Sequence, residues 1–219
     1  MTIIKNIKWG AMLKFIVSLS LVLTFLCSPA MSETAADWCN KANALSDGQK
    51  FTDPLKAIEY LNNALKLEPN NAETYYNRAV AYDNLGQYKP AIKDYNQAIH
   101  LKPDYAEAFY NRGTINNTIG QYQRAIEDFN EAIRFNPKDA EAYLGRGFAC
   151  DKLGQYQRAI ENYSKAIGII PDYAQAYNNR GADFFSLGNN AQGCFDAQKA
   201  CVLGSCKLLK IARDKGFCR

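Results

Sequence analysis

The sequence is poor in the residues that most enzymes use for acid–base and nucleophilic chemistry. It contains a single histidine, His100, so nucleophile–base pairs that depend on an imidazole have little to draw on. The sequence lacks a phosphate-binding loop, the GxSxG and HExxH patterns and a paired-glycine nucleotide fingerprint. Asp and Glu are plentiful, so a carboxylate pair acting as acid and base is the enzymatic alternative that stays open. We expect a protein that is not an enzyme and uses no cofactor and no metal.

An excess of charge of one sign is also lacking. The chain carries a formal net charge of +4, and the N-terminal segment 1–30 holds three lysines and no acid. Without that segment, the basic and acidic residues balance to within one charge. A protein that binds nucleic acid needs a basic surface to neutralise phosphates. The sequence therefore argues against a nucleic-acid partner.

Long hydrophobic runs are absent apart from one near the N terminus. Three lysines precede an uncharged apolar run over positions 15–26, and small residues follow it. This order is typical of a secretory signal peptide, with cleavage expected after Ala30 or after Ser32. The run is too short to cross a bilayer core of about 30 Å comfortably, so an uncleaved membrane anchor is the weaker alternative. We expect contact with a membrane only through this segment, before cleavage.

The cysteines are concentrated at the C-terminal end. Seven are present, and four of them fall within the segment 194–219. A zinc site is one interpretation, but the sequence has no CxxC pair and its histidine is distant. An exported protein sits where disulfides persist, so we expect the cluster to be disulfide-bonded.

A sequence repeat organises most of the chain. The consecutive segments 72–105, 106–139 and 140–173 have equal length and agree at an early aromatic, an arginine, a mid-unit glycine and a closing proline. Each segment contains two amphipathic stretches with helical spacing, separated by the glycine. The recurring residues are Tyr75, Phe109, Tyr143 and Tyr177; Arg78, Arg112, Arg146 and Arg180; Gly86, Gly120, Gly154 and Gly188; and Pro69, Pro103, Pro137 and Pro171.

This pattern resembles the tetratricopeptide repeat (TPR) family, over about residues 36–203. The resemblance implies an all-α fold, namely a right-handed α-solenoid of stacked antiparallel helix pairs. About five TPR-like units and a C-terminal capping helix are expected, because the last unit of a solenoid must cover an open apolar end. The predicted segments are the signal peptide 1–30, a flexible mature N terminus 31–35, an atypical first unit 36–71, units 72–105, 106–139 and 140–173, a degenerate fifth unit 174–205 and a cysteine-rich capping helix 206–219.

The C-terminal hairpin predicts which cysteines pair. A turn centred near Gly204 brings Cys201 close to Cys206, and it brings Cys194 close to Cys218 across two antiparallel helices. The alternative pair Cys206–Cys218 would join the two ends of one helix, which lie too far apart for a disulfide. Cys39 and Cys150 fall outside this cluster. We expect Cys39 to be free, buried or intermolecular, and Cys150 to be an apolar filler of the core.

In the family, the first helix of each unit lines a concave groove, and the resemblance assigns peptide binding to it. Asn77, Asn111 and Asn179 share one column of that groove, which Gly145 interrupts. An amide offers donor and acceptor together, so this column could pair with a peptide backbone regardless of its sequence. The alternative left open is that the asparagines serve the repeat itself by bonding to neighbouring backbone. The predicted binding residues are Tyr76, Asn77, Val80, Asp83, Tyr110, Asn111, Thr114, Asn117, Leu144, Phe148, Asp151, Asn178 and Asn179.

The arginine column has a second interpretation of its own. Four arginines in register could form an anion-binding stripe. Aspartates recur at a matching phase on the second helices, at Asp94, Asp128 and Asp196, with Asn162 as the exception. We therefore expect Arg–Asp pairs that orient the helices.

Together these features predict an exported module that binds another protein or an extended peptide and scaffolds a complex in the cell envelope. The alternative is a chaperone-like accessory for the assembly or secretion of exported proteins. The expected location is a bacterial periplasm or the outside of the cell.

Overall fold

The computed structural model describes residues 33–48 and 50–218. The predicted signal peptide and both predicted cleavage sites lie outside these residues. Within the described ranges there are eleven helices, and β-structure is limited to an isolated bridge between Ser46 and Phe51. The helices are α1 Ala35–Asn43, α2 Pro54–Leu67, α3 Ala72–Asn84, α4 Tyr88–Leu101, α5 Ala106–Thr118, α6 Tyr122–Phe135, α7 Ala140–Lys152, α8 Tyr156–Ile169, α9 Ala174–Ser186, α10 Asn190–Val202 and α11 Lys207–Asp214.

Side chains and glycines set the helix ends. The Asn71 side chain accepts a hydrogen bond from the Thr74 amide at 3.0 Å, and Asp139 accepts one from the Ala142 amide at 3.0 Å. Such caps satisfy amides that have no partner inside the helix. Helices α3, α5, α7 and α9 are each followed by a glycine with a positive φ, a conformation that other residues rarely adopt. These are Gly86, Gly120, Gly154 and Gly188.

Aromatic side chains of the second helices fill the space between helices. Tyr95, Phe129 and Tyr163 are at most 1% exposed, and burying each contributes roughly 1.5–3 kcal/mol. The first helices make room for them with small residues. At Gly147, a Cβ atom would lie 2.6 Å from Cε1 of Tyr163, so only glycine fits that position without movement.

The helices form five pairs, α1–α2 to α9–α10, and each pair packs against the next. We call these pairs units 1 to 5. The buried residues form clusters that run through consecutive units. The predicted all-α solenoid of stacked helix pairs is therefore confirmed.

Helix α11 covers the last unit. Its Leu209 and Ala212 are buried against Ala197 of α10. The structure joins Cys194 to Cys218 and Cys201 to Cys206, the two pairs that the hairpin predicts. The first of these ties the residues after α11 back to α10, with the two Cα atoms 5.6 Å apart.

The other two described cysteines carry free thiols. Cys150 of α7 is fully buried in the central cluster. Cys39 is partly buried, and its Sγ lies 3.3 Å from Oγ1 of Thr74. Among residues 33–48 and 50–218, every helix is too short or too polar to span a membrane.

Candidate peptide-binding groove

The groove is the surface formed by the first helices of the five units, and two cavities open along it. The first cavity has a volume of 740 Å³ and is lined by Asn43, Ser46, Gly48, Lys50, Phe51, Tyr76, Asn77, Val80, Tyr110, Asn111 and Glu141. The second has a volume of 600 Å³ and is lined by Tyr110, Thr114, Asn117, Thr118, Tyr122, Phe129, Glu141, Leu144, Gly145, Phe148, Tyr173, Gln175 and Asn179. Because Tyr110 and Glu141 belong to both linings, the cavities are neighbours.

Most of the predicted binding residues line one of these cavities. Five belong to the first lining and six to the second, with Tyr110 common to both. Asp83, Asp151 and Asn178 lie outside both linings. The structure therefore brings ten of the thirteen predicted residues together in two adjacent hollows.

The asparagine column is engaged across units in the first cavity. Asn111 Nδ2 donates to the Tyr76 hydroxyl at 3.0 Å, and Asn77 Nδ2 contacts Asn43 Oδ1 at 3.4 Å. Each amide has two N–H donors and a carbonyl acceptor, so one such bond leaves capacity for a guest. The asparagines thus hold neighbouring units in register and also line the cavity.

The loop between α1 and α2 supplies part of the first cavity that the sequence did not predict. Ser46, Lys50 and Phe51 lie in its lining. The Phe51 amide donates to Asn84 Oδ1 at 2.8 Å, which fixes the loop against the end of α3. The unusual length of this loop is visible in the sequence, but its contact with Asn84 is not.

The second cavity is walled by aromatic rings from several helices. Tyr122 and Phe129 come from α6, and Tyr173 comes from the turn before α9. The Tyr110 hydroxyl donates to the Glu141 carboxylate at 3.1 Å, at the boundary between the two cavities. Sequence reasoning missed these walls because their direction depends on how the units stack.

At Gly145, where the asparagine column is interrupted, the ring of Phe129 packs directly on the backbone. A Cβ atom at Gly145 would lie 2.5 Å from Cζ of Phe129. The Phe129 ring therefore occupies the space that a side chain would need. Asn117 Nδ2 donates to the Gly145 carbonyl at 2.9 Å, so unit 3 contacts the backbone where unit 4 lacks an amide.

Burial and nearby carboxylates act on the tyrosines of the groove. Burial raises the pKa of Tyr110 and Tyr173 above the ordinary value, and Glu141 and Asp139 raise it further. The pKa of Tyr76 is raised by burial, although its hydrogen bond from Asn111 lowers it in part. These hydroxyls stay protonated at neutral pH and serve as hydrogen-bonding groups.

The arginine column lies away from these cavities and connects second helices. Arg112 Nη2 donates to Asp128 at 2.5 Å within its own unit, and its Nη1 donates to Asn96 of the preceding unit at 2.5 Å. Arg78 and Arg180 also pair with an aspartate, whereas Arg146 donates to Asn162 at 2.7 Å. The expected Arg–Asp pairs are present, and they bridge units.

Family comparisons agree with this architecture. The family described as "Tetratricopeptide repeat" matches residues 72–105 and 106–139, and a second model with that description matches 129–161. A further model, described as "TPR repeat", matches residues 56–86 and 152–188. These matches together extend without a gap from residue 56 to residue 188.

Solved structures with the same fold include several MamA proteins. A crystal structure of MamA is 32% identical, with a TM-score of 0.68, covering 69% of this chain and 89% of that one. MamA residues 41 to the end from Desulfovibrio magneticus RS-1 are 26% identical, with a TM-score of 0.73 and coverage of 80% and 97%. YrrB, titled "a TPR protein with an unusual peptide-binding site", is 23% identical, with a TM-score of 0.73 and coverage of 84% and 94%.

Among curated proteins, none is significantly similar to this chain in sequence. The family assignment rests on the repeat models and on the solved structures. The repeats occupy more than half of the chain, and the helix pairs stack as in those structures. This chain therefore belongs to the tetratricopeptide repeat family, as a protein-interaction module.

Proposed function

We propose that this protein is exported and that its groove holds an extended segment of a partner protein. The observation that carries the proposal is the pair of adjacent cavities, which together offer side-chain amides and aromatic rings along the first helices. Amides suit a peptide backbone because they donate and accept, and aromatic side chains favour interfaces. The peptide-binding site named for YrrB supports the same use of this fold.

Export is inferred from two independent parts of the sequence. The N-terminal segment 1–30 has the order of a signal peptide. At the other end, two cysteine pairs are within bonding distance, and such bonds persist in oxidising compartments. A scaffold for a complex in the cell envelope is the role that unites both features.

Capture of partners tests the groove. The full chain is expressed with its signal segment in a bacterial host, cross-linked in the periplasm and purified, and the captured proteins are identified by mass spectrometry. The variant Asn77→Ala/Asn111→Ala should lose partners that the unaltered protein retains. The control Asn70→Ala/Asn136→Ala changes two exposed asparagines outside both cavities and should keep them. Equal capture by both variants would move the binding site away from the groove.

The captured set also separates a scaffold from the chaperone-like alternative. A scaffold should retain one or a few proteins reproducibly. A holder of exported chains should retain many unrelated ones, because backbone recognition by amides ignores side chains.

Export has its own test. The protein from the periplasmic fraction should start after Ala30 or Ser32 on N-terminal sequencing, and a non-reducing peptide map should contain Cys194–Cys218 and Cys201–Cys206. A cytoplasmic, unprocessed chain with reduced cysteines would overturn this part of the proposal.

A further inference from the structure

The second cavity combines aromatic walls with one carboxylate. Rings of Tyr110, Tyr122, Phe148 and Tyr173 line it, together with Glu141. Among the described residues, its lining contains no lysine and no arginine. A cation that enters this cavity would meet ring faces and a negative charge, and no residue of the lining would repel it.

Further charges around the cavity keep it negative. Glu141 and Asp139 both act on the hydroxyls of Tyr110 and Tyr173, so their fields reach the walls. Lys152 is a nearby cation, and its Nζ lies 4.9 Å from the centroid of the Phe148 ring. That ammonium group is already paired with Asp151 at 3.1 Å, so its charge is offset before it reaches the cavity.

We propose that the second cavity is a subsite for an arginine side chain of the bound segment. This inference rests on the proposed function, because the arginine belongs to the peptide in the groove. The guanidinium lies against the ring faces and pairs with the Glu141 carboxylate, while its aliphatic stem covers apolar wall. Arginine suits the site better than lysine because a planar guanidinium stacks on rings and binds a carboxylate through two N–H groups.

The two cavities share Tyr110 and Glu141, but within the described part of the chain only the first has a cation of its own in its lining. Its lining includes Lys50 and the amides of Asn43, Asn77 and Asn111. The ammonium group of Lys50 opposes a second basic residue there. The bound segment is thus recognised mainly through its backbone in the first cavity and through one basic side chain in the second.

A set of synthetic peptides tests the subsite. The peptides share a Gly/Ser/Ala background and carry one central arginine, lysine, citrulline or glutamate, and binding to the full mature chain is measured by fluorescence polarisation. Citrulline keeps the shape of arginine without its charge. The expected order of affinity is arginine, lysine, citrulline and then glutamate, with arginine about tenfold tighter than citrulline.

Matched variants locate the effect. Glu141→Gln should remove most of the expected preference, about tenfold, for arginine over citrulline. Glu107→Gln changes the equivalent residue one repeat earlier, which lies outside both cavities, and should keep the preference. Phe148→Ala should weaken arginine binding without affecting the citrulline peptide to the same extent. Glu141 is exposed, so its substitution leaves the fold intact.

The outcomes separate the subsite from the groove. If arginine and citrulline peptides bind equally well, the subsite is wrong while the peptide-binding groove stands. A preference that persists in Glu141→Gln would also overturn the subsite, because the cation would then be held elsewhere. If none of the peptides binds and Asn77→Ala/Asn111→Ala keeps every captured partner, the proposed function fails and the subsite fails with it.

Discussion

Units 3 and 4 carry an arginine at the same position of the repeat, but the two arginines bind different partners. Arg112 of unit 3 donates to the Asp128 carboxylate, whereas Arg146 of unit 4 donates to the Asn162 amide. The remaining partner is equivalent in both units, an asparagine on the preceding second helix. The geometry of the bridge is thus kept when one of its charges is lost.

The electrostatic consequence appears at the arginines. Burial lowers the pKa of Arg146, and no carboxylate compensates for it. At Arg78 of unit 2, burial acts in the same direction, but the hydrogen bonds and charge of Asp94 outweigh it and raise the pKa. The comparison indicates that the bridge mainly orients the helices, and that the charge adds energy to it.

The two units also differ on the groove side. Unit 3 presents Tyr110 and Asn111, and unit 4 presents Leu144 and Gly145 at the same positions. In unit 4 the ring of Phe129 fills the space above Gly145, and the second cavity has an aromatic wall where the other units have an amide. The repeat therefore keeps its outer bridge and varies its groove.

Removing the bridging arginine should give the largest difference in stability between the two units. In Arg112→Ala, the Asp128 carboxylate, which is 6% exposed, loses its cation, and we expect a loss of about 3 kcal/mol in the free energy of unfolding. In Arg146→Ala, the partner left behind is a neutral amide, and we expect a loss of about 1 kcal/mol. Urea unfolding followed by circular dichroism measures both.

An exposed arginine provides the control for that pair of variants. Arg134 is 60% exposed and pairs with Glu131 on its own helix, so Arg134→Ala should change stability by less than about 0.5 kcal/mol. Equal losses in Arg112→Ala and Arg146→Ala would show that the charge of Asp128 contributes nothing to the bridge.

A methyl group at Gly145 tests how tightly the Phe129 ring packs on this position. Gly145→Ala should lower the free energy of unfolding by about 2 kcal/mol, because the added Cβ meets the Phe129 ring. Gly168→Ala is the matched control, since it is also within a helix but has open space around it. That change should stabilise the protein by about 0.5–1 kcal/mol. A gain in both variants would mean that the ring moves aside freely.

The recurrence of the repeat was sufficient to predict stacked helix pairs. Apolar faces, the glycine after each first helix and the buried aromatics recur together, and each is a local signal. The cysteine pairing followed from a single turn near Gly204. The fold could therefore be predicted from local sequence patterns, because each unit repeats the same short-range packing.

The cavities depend on contacts that no local pattern encodes. The loop between α1 and α2 reaches the groove through the hydrogen bond between Phe51 and Asn84, which are distant in sequence. In the sequence Gly145 is only an interruption of the asparagine column, and the packing of the Phe129 ring on it is visible only in the structure. Nothing in the repeat pattern predicts Asp183 either, which occupies a buried column that holds Ala81, Ile115 and Ala149 in earlier units.

Asp183 extends the comparison to unit 5 and gives a pH-dependent prediction. Burial first, and then the charge and hydrogen bond of Asp151, raise the pKa of Asp183 to about 8 against the opposing charge of Lys152. One of its carboxyl oxygens is buried without a partner among the described residues. Since the folded state binds this proton more tightly than the unfolded state does, stability should fall as the pH rises from about 4 towards about 8.

The variant Asp183→Ala should remove that dependence. It restores the apolar residue of units 2 and 4 and should stabilise the protein by about 1–2 kcal/mol above pH 8, where the carboxyl is ionised. In mildly acidic buffer the gain should shrink or vanish, because the protonated carboxyl then contributes its bond with Asp151. Urea unfolding at both pH values measures the difference. An equal gain at both would assign the effect to packing and not to the proton.

The substitution with the smallest expected effect on stability makes the bridge of unit 4 chemically like that of unit 3. Asn162→Asp gives Arg146 the carboxylate that Arg112 already has. The new charge strengthens the bond to Arg146, but it must also be buried at a position that is 7% exposed, so we expect a net gain below about 1 kcal/mol. The same substitution in an Arg146→Ala background should destabilise the protein, because the carboxylate would be buried without a cation. A double-mutant cycle from thermal unfolding gives the coupling, and a coupling near zero would mean that units 3 and 4 bridge equally well with either partner.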